Sequence, residues 1–227
     1  MDEQTRPSME QVVYDKLKHS ILHRQLAPGT QLVESTISDR LQVSRTPIRN
    51  AIKKLASEGL INVIPNRGAF VIQPSLDEIT QAYEARIELE CVAVRLSIAR
   101  ITKKDIATLK QLVNDERQAF IQKDILKFVK ANENFHMTLV KKSNNKFLIG
   151  FMQKLVNQIN VYLQLFDTFY NVNFEESESI KEHLKIIDLI EKKDYEKLDT
   201  SLREHISHSY EDLEVNKSSY KKLKDIF

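Results

Sequence analysis

Arg45, Thr46 and Arg49 fall close together in a stretch from Arg40 to Lys54 that holds five Lys/Arg and no Asp or Glu. Arginine carries a planar fork of donors that pairs bidentately with guanine, and threonine can reach a base edge or a phosphate. Such side chains near the start of one helix suit the major groove of DNA. A second chemistry-bearing set lies further along: of the six histidines, His136, His183, His205 and His208 fall on three later helical stretches. Imidazoles from several helices of one bundle can converge on a divalent cation. A single helical histidine is more commonly a packed or solvated residue, so spacing alone leaves convergence open.

The elements that must hold the first set are legible in residues 31–60. Ser44 suits an N-cap, and Pro47 falls in the first helical turn, where its missing N–H costs nothing. Ile48, Ile52 and Leu55 recur at i, i+4 and i+7, which turns Arg45, Thr46 and Arg49 outward. Gly59 ends this helix. INVI (61–64) and AFVI (69–72) flank Pro65-Asn66-Arg67-Gly68 and predict a hairpin, with Arg67 at its tip for the minor groove or a phosphate. Helix, turn, helix and hairpin make a winged helix-turn-helix. Its candidate DNA contacts are Arg40, Ser44, Arg45, Thr46, Arg49 and Arg67. Residues 9–25 ahead of it read as an amphipathic helix, with Val12, Val13, Leu17, Ile21 and Leu22 on one face.

Gln73-Pro74 reads as a linker, and Ser75 with Glu78 three residues on as a capping box opening a second domain. The boundary therefore falls between 1–74 and 75–227. No glycine occurs between Gly68 and Gly150, and helical periods run through about 76–99, 103–122, 125–142, 145–170, 180–192 and 195–213. Thr102 suits a cap for the second of these, and Ser179 with Glu182 a capping box for the fifth. These segments predict an all-α antiparallel bundle, followed from Val215 by a charged tail that frays. The fold class is mainly α.

Residues 1–74 hold 10 Lys/Arg against 7 Asp/Glu, whereas residues 75–227 hold 24 against 25. A basic head on a near-neutral body fits a DNA-binding module joined to one that does not touch DNA. The lone cysteine, Cys91, lies in a helical apolar pattern and suits a reduced, buried thiol. With no apolar run long enough for a membrane span and no signal-peptide core, the expected compartment is the cytoplasm.

The segment LAPGTQLVESTISDRLQVSRTPIRNAIKKLASEGLINVIPNRGAFV resembles the N-terminal domain of GntR-type bacterial transcription regulators, over residues from about 9 to 73. The shared features are the PG turn, Leu-x-Glu opening the second helix, VSRTPIR, L-x-x-EGL and N-R-G-A-F-V. The resemblance implies that Arg45, Thr46 and Arg49 contact bases and phosphates. Many relatives place a basic residue early in the second helix; here Ser35 and Thr36 stand there, with Arg40 as the nearest compensation. The second domain resembles the helical effector-binding domain of the fatty-acid-regulator branch, through EARIELE (84–90), NENFH and SNNKFL (132–148), SIKEH (179–183) and REH (203–205). Many members of that branch hold a metal through one Asp and three His, and bind a small carboxylate effector beside it. The resemblance places those histidines at His136, His183 and His205, and the aspartate position at Asn132, a neutral oxygen donor. Nitrogen-rich ligation suits Zn²⁺, Ni²⁺ or another borderline divalent ion. Arg86 is the candidate carboxylate partner, with a structural ion pair to Glu90 or Glu182 as the alternative, and Tyr83 a candidate pocket wall. His208 is read as a bystander and the His19/His23 pair as a solvated face.

The expected function is a homodimeric regulator reading an inverted-repeat operator under control of a small carboxylate, a divalent metal, or both. Three alternatives stand beside it: a regulator answering to metal alone, a structural metal beside a long-chain ligand, and a metal-dependent hydrolase. The last needs a general base and an open metal position. The chain holds neither H-E-x-x-H nor G-x-S-x-G, so no enzyme is expected.

Overall fold

The computed structural model describes residues 7–166, 169, 178–213 and 223–226. The chain divides into two compact units, Met1–Pro74 with Asn216–Phe227, and Ser75–Val215. Among the described residues no helix is long and apolar enough to cross a membrane.

In the first unit α1 (Met9–Leu22), α2 (Glu34–Leu41) and α3 (Arg45–Ser57) precede a hairpin of β1 (Ile61–Ile64) and β2 (Gly68–Val71). The α1 helix packs on α3, burying Val13, Leu17 and Ile21 of one and Ile48, Ala51, Ile52 and Leu55 of the other. It stops at Leu22, three residues short of the sequence expectation. Arg24 takes a left-handed φ of 53°, and the Gln25 and Leu26 N–H groups turn back to the Ser20 carbonyl. Between α2 and α3, Gln42 adopts φ 53°, which ends α2 and sets the tight turn into the next helix.

The strands pair antiparallel, Ile61 opposite Val71 and Ile64 opposite Gly68. The second strand thus lies one residue earlier than its apolar run suggested, because Gly68, with φ 103°, already pairs. Pro65 and a left-handed Asn66, with the Arg67 N–H donating to the Ile64 carbonyl at 3.0 Å, are what a type II turn requires. The other edge of β2 is held by residues 29–32, through Gly29 N–H to Val71, Val71 N–H to Thr30 and Leu32 N–H to Ala69. Leu223–Asp225 forms a short 3-10 turn against α2 and belongs with this unit; of the rest of the tail expected to fray, residues 215–222 and 227 lie outside the described residues.

The second unit is a helical bundle: α4 (Leu76–Ser97), a 3-10 turn (Ile98–Arg100), α5 (Lys103–Ile121), α6 (Ile125–Lys141), α7 (Lys146–Phe166), α8 (Glu178–Lys192) and α9 (Tyr195–Glu211). Thr102 and Asp105 close a full capping box on α5. Ser75 caps α4 by accepting from the Glu78 N–H, but no box forms, because the Glu78 carboxylate accepts instead from the Tyr162 hydroxyl at 2.8 Å. At α8 the expected cap also differs. The helix already begins at Glu178, so Ser179 lies inside it and its hydroxyl donates to Glu116 at 2.9 Å. The period expected to reach residue 170 ends at Phe166 in α7; residues 167, 168 and 170 lie outside the described residues.

Candidate metal centre and nucleic-acid interface

His136 sits on α6, His183 on α8 and His205 on α9, and the packing of α8 and α9 against the rest of the bundle brings the three rings together. Their Nε2 atoms form a nearly equilateral triangle: 3.3 Å from His136 to His183, 3.1 Å from His183 to His205 and 3.1 Å from His205 to His136. All three rings are at most 1 % exposed. Phe135 stacks on His183 with ring centroids 4.0 Å apart and closes one side.

Each ring also turns its Nδ1 to a carboxylate. His136 pairs with Glu90, His183 with Glu116 at 2.7 Å and His205 with Glu182 at 2.8 Å. An ionised carboxylate only accepts, so each Nδ1 carries the hydrogen and each Nε2 presents a lone pair to the centre. Three converging lone pairs repel unless a proton or a cation lies among them. Nitrogens bonded at about 2.0–2.1 Å to one ion stand about 2.9–3.4 Å apart across octahedral to tetrahedral geometry. The observed triangle lies in that range, so the triad fits a divalent transition metal ion. Asn132 lies one turn before His136 on the same helix and is buried.

The surroundings disfavour a charge on two of the rings, His136 and His205. Burial, helped by Arg86, pushes His136 well below the usual histidine value despite Glu90 beside it, and burial with the neighbouring His183 lowers His205. Burial penalises the Glu90 carboxylate, but His136 and Arg86 more than offset this and hold it at about 2. Glu182 is likewise held at about 2 against its burial, by His205 and then His208. His208 itself is half exposed and pairs with Glu182 outside the triangle of Nε2 atoms.

Arg86 is fully buried and donates from Nε to Glu90 at 3.0 Å, so the structural ion pair forms, and it forms with Glu90. Its Nη2 is also buried, without a hydrogen-bond partner among the described residues. Tyr83, one turn earlier, is buried and packs its ring at 5.4 Å from Tyr210 of α9, with its hydroxyl 3.5 Å from Ser209.

In the first unit Arg40, Ser44, Arg45, Thr46, Arg49 and Arg67 are all exposed. Ser44 holds the N-cap position of α3, but its hydroxyl makes no capping hydrogen bond. Arg49 donates from Nε to both carboxylate oxygens of Glu34, at 3.0 and 2.9 Å. Arg67 lies at the wing tip, its guanidinium 5.9 Å from the Phe70 ring. Sequence reasoning missed the carboxylates behind the histidines and the hold of Glu34 on Arg49. The first were foreshadowed by an acid standing on an apolar stripe, Glu116 after Leu109 and Val113.

Residues 9–71 match the model of the bacterial regulatory proteins of the gntR family, and residues 81–208 match that of the FCD domain. The chain is 29% identical over 202 residues to the HTH-type transcriptional repressor RspR of Escherichia coli, covering 89% of this chain and 87% of that protein. The solved structure of McbR/YncC of E. coli superposes with a TM-score of 0.62 at 25% identity, over 89% of this chain and 95% of that one. A structure described as Lar, which controls the agr system of Listeria monocytogenes, shares the fold with a TM-score of 0.67 at 18% identity, over 92% and 98%. With matches along both units, the chain belongs to the GntR family of bacterial regulators that carry an FCD domain, and is a DNA-binding transcription regulator.

Proposed function

We propose that this regulator is a cytoplasmic homodimer whose two winged helices read an inverted-repeat operator. Its affinity for that operator is set by a divalent transition metal, most suitably Zn²⁺, together with a small carboxylate metabolite, bound in the FCD domain. The observation that carries the sensory half is the buried triangle of Nε2 lone pairs, each fixed by a carboxylate on Nδ1. His136, His183 and His205 would hold the ion, with the Asn132 carbonyl as a fourth donor. The buried Nη2 of Arg86, without a partner among the described residues, supports a carboxylate effector beside it, since a guanidinium fork takes an acid oxygen. Tyr83 would wall the same pocket. Self-association is supported by the outer face of α4 and α7, where Val92, Leu96, Phe147 and Phe151 are exposed beside the Ala93–Leu148–Met152 cluster. Two-fold symmetry in the protein then mirrors an inverted repeat, one wing and one α3 per half-site.

The test is to select duplexes from a random pool with the full chain. Affinity for the winner is then measured with chelator, with Zn²⁺, and with Zn²⁺ plus small acids such as citrate. A symmetric site and at least a fivefold change on one addition are expected, the size of an ordinary allosteric coupling. Arg49→Ala should cost about 1–3 kcal/mol at that site and flatten one base preference. An asymmetric site or indifference to every addition overturns the corresponding half of the proposal.

Asn132→Asp separates the ligand roles. It keeps the oxygen's reach and adds a negative charge, so metal affinity, read by competition with a chromophoric chelator, should rise while citrate binding weakens. No gain in metal affinity would remove Asn132 from the ligand set.

A further inference from the structure

Arg49 and Arg45 stand one turn apart at the start of α3, both exposed, yet they are held differently. Among the described residues Arg45 makes no ion pair, whereas the Nε of Arg49 donates to both oxygens of Glu34. Glu34 belongs to a different helix: it is the first residue of α2, whose N-cap Val33 supplies no side-chain cap. The positive end of α2 favours a carboxylate there, so Glu34 is anchored apart from its partner. The Arg49 side chain is 59% exposed and that of Glu34 31%, and an ion pair so open to water adds little to stability. Its effect is geometric. With Nε engaged, the two terminal NH₂ groups of the guanidinium make no hydrogen bond among the described residues, and such a pair can meet O6 and N7 of one guanine.

We infer that Glu34 is a positioning residue for base recognition, fixing Arg49 to present its terminal fork to a guanine while Arg45 remains free to follow the phosphates. This rests on the reading of α3 as the groove-reading helix. Ordering a long side chain before binding removes that entropy loss from the complex, so the pair sharpens base preference more than it raises general affinity for DNA. It also assigns the Leu-x-Glu at the start of α2 a role in reading DNA from outside the reading helix.

The experiment uses the full chain, a duplex selected from a random pool, its single-base variants, and a scrambled duplex of the same composition. Glu34→Ala is expected to weaken binding to the selected duplex about tenfold, the scale of one bidentate base contact, with the scrambled duplex bound as before or slightly tighter. Glu34→Gln, whose amide oxygen still accepts from Nε, should lose less. Both should flatten the same guanine preference that Arg49→Ala flattens, and the double variant Glu34→Ala/Arg49→Ala should lose no more than Arg49→Ala alone. Undiminished guanine preference in Glu34→Ala, or equal tightening on selected and scrambled duplexes, would show that Glu34 only repels phosphate and would overturn the inference. Loss of a cytosine preference with the guanine intact would also overturn it, since Glu34 would then read a base itself. If Arg49→Ala leaves every base preference unchanged, the reading of α3 fails first.

Discussion

His183→Ala is expected to abolish metal retention: the full chain, purified without a histidine tag, should carry about one divalent transition ion per chain, and the variant none. The ring contributes one of three Nε2 atoms 3.1–3.3 Å apart, and two remaining imidazoles leave an incomplete site. His208→Ala, outside the triangle, should retain the ion, and Glu116→Gln should weaken it about 10–100-fold by loosening the orientation and basicity of His183. Elemental analysis after dialysis reads all three. Protons compete for the same lone pairs, but His136 and His205 are shifted below the ordinary histidine value, so loss on acidification should set in at lower pH than for free imidazole. The apo protein follows the same sign. Between the lowered folded value and about 6.5 the unfolded chain binds more protons at these histidines than the folded chain, so stability falls as pH drops through that window. Full metal content in His183→Ala would reject the triad as the site.

Arg86→Met should be the most destabilising single substitution in the centre, by about 3–5 kcal/mol, because it breaks a fully buried pair and strands a charge. Glu90 is 0% exposed and Arg86 2%, and the carboxylate is held at about 2 by His136 and Arg86 together. Without the guanidinium, Glu90 keeps only His136. Because a lowered carboxylate value stabilises the fold above its unfolded value near 4.5, the loss should be largest near neutral pH and shrink as acid protonates Glu90 in both states. Thermal unfolding at pH 7 and pH 4 measures both points. The double variant Arg86→Met/Glu90→Gln should recover much of the loss, since it leaves no buried charge unpaired. A loss in Arg86→Met unchanged by Glu90→Gln would mean that the side chain matters for its volume and not for its charge.

Much of this architecture was legible because its signals are local. Pro47 and the Ile48–Ile52–Leu55 stripe mark α3 with Ser44 at its N-cap position, and Thr102 caps α5 as expected, Asp105 adding a full box that was not foreseen. The misplaced boundaries occur where a backbone or distant partner overrides composition. Arg24 accepts a left-handed φ that ends α1 early, and Glu78 leaves its own helix start for Tyr162, 84 residues away. The histidine positions came from matching motifs, whereas their convergence depends on how α6, α8 and α9 pack, which helical period does not encode. The outer carboxylates were less visible still. Glu90, Glu116 and Glu182 lie on three different helices, and each is marked only by what it faces. Glu34 stood inside a matched motif, yet its bond to Arg49 spans two helices and appears only once α2 and α3 are packed.

The triad also has a topological meaning. His136, His183 and His205 are separated by 47 and 22 residues along the chain, and their Nε2 atoms meet at one point. An ion held there would act as a removable cross-link that closes two long loops, in a chain whose single cysteine allows no internal disulfide. Unlike a disulfide, such a link has a strength set by supply: each tenfold rise in free ion above the dissociation constant adds about 1.4 kcal/mol to the folded domain. The grip of α8 and α9 on the bundle would then track the metal status of the cell continuously, even with no organic ligand present.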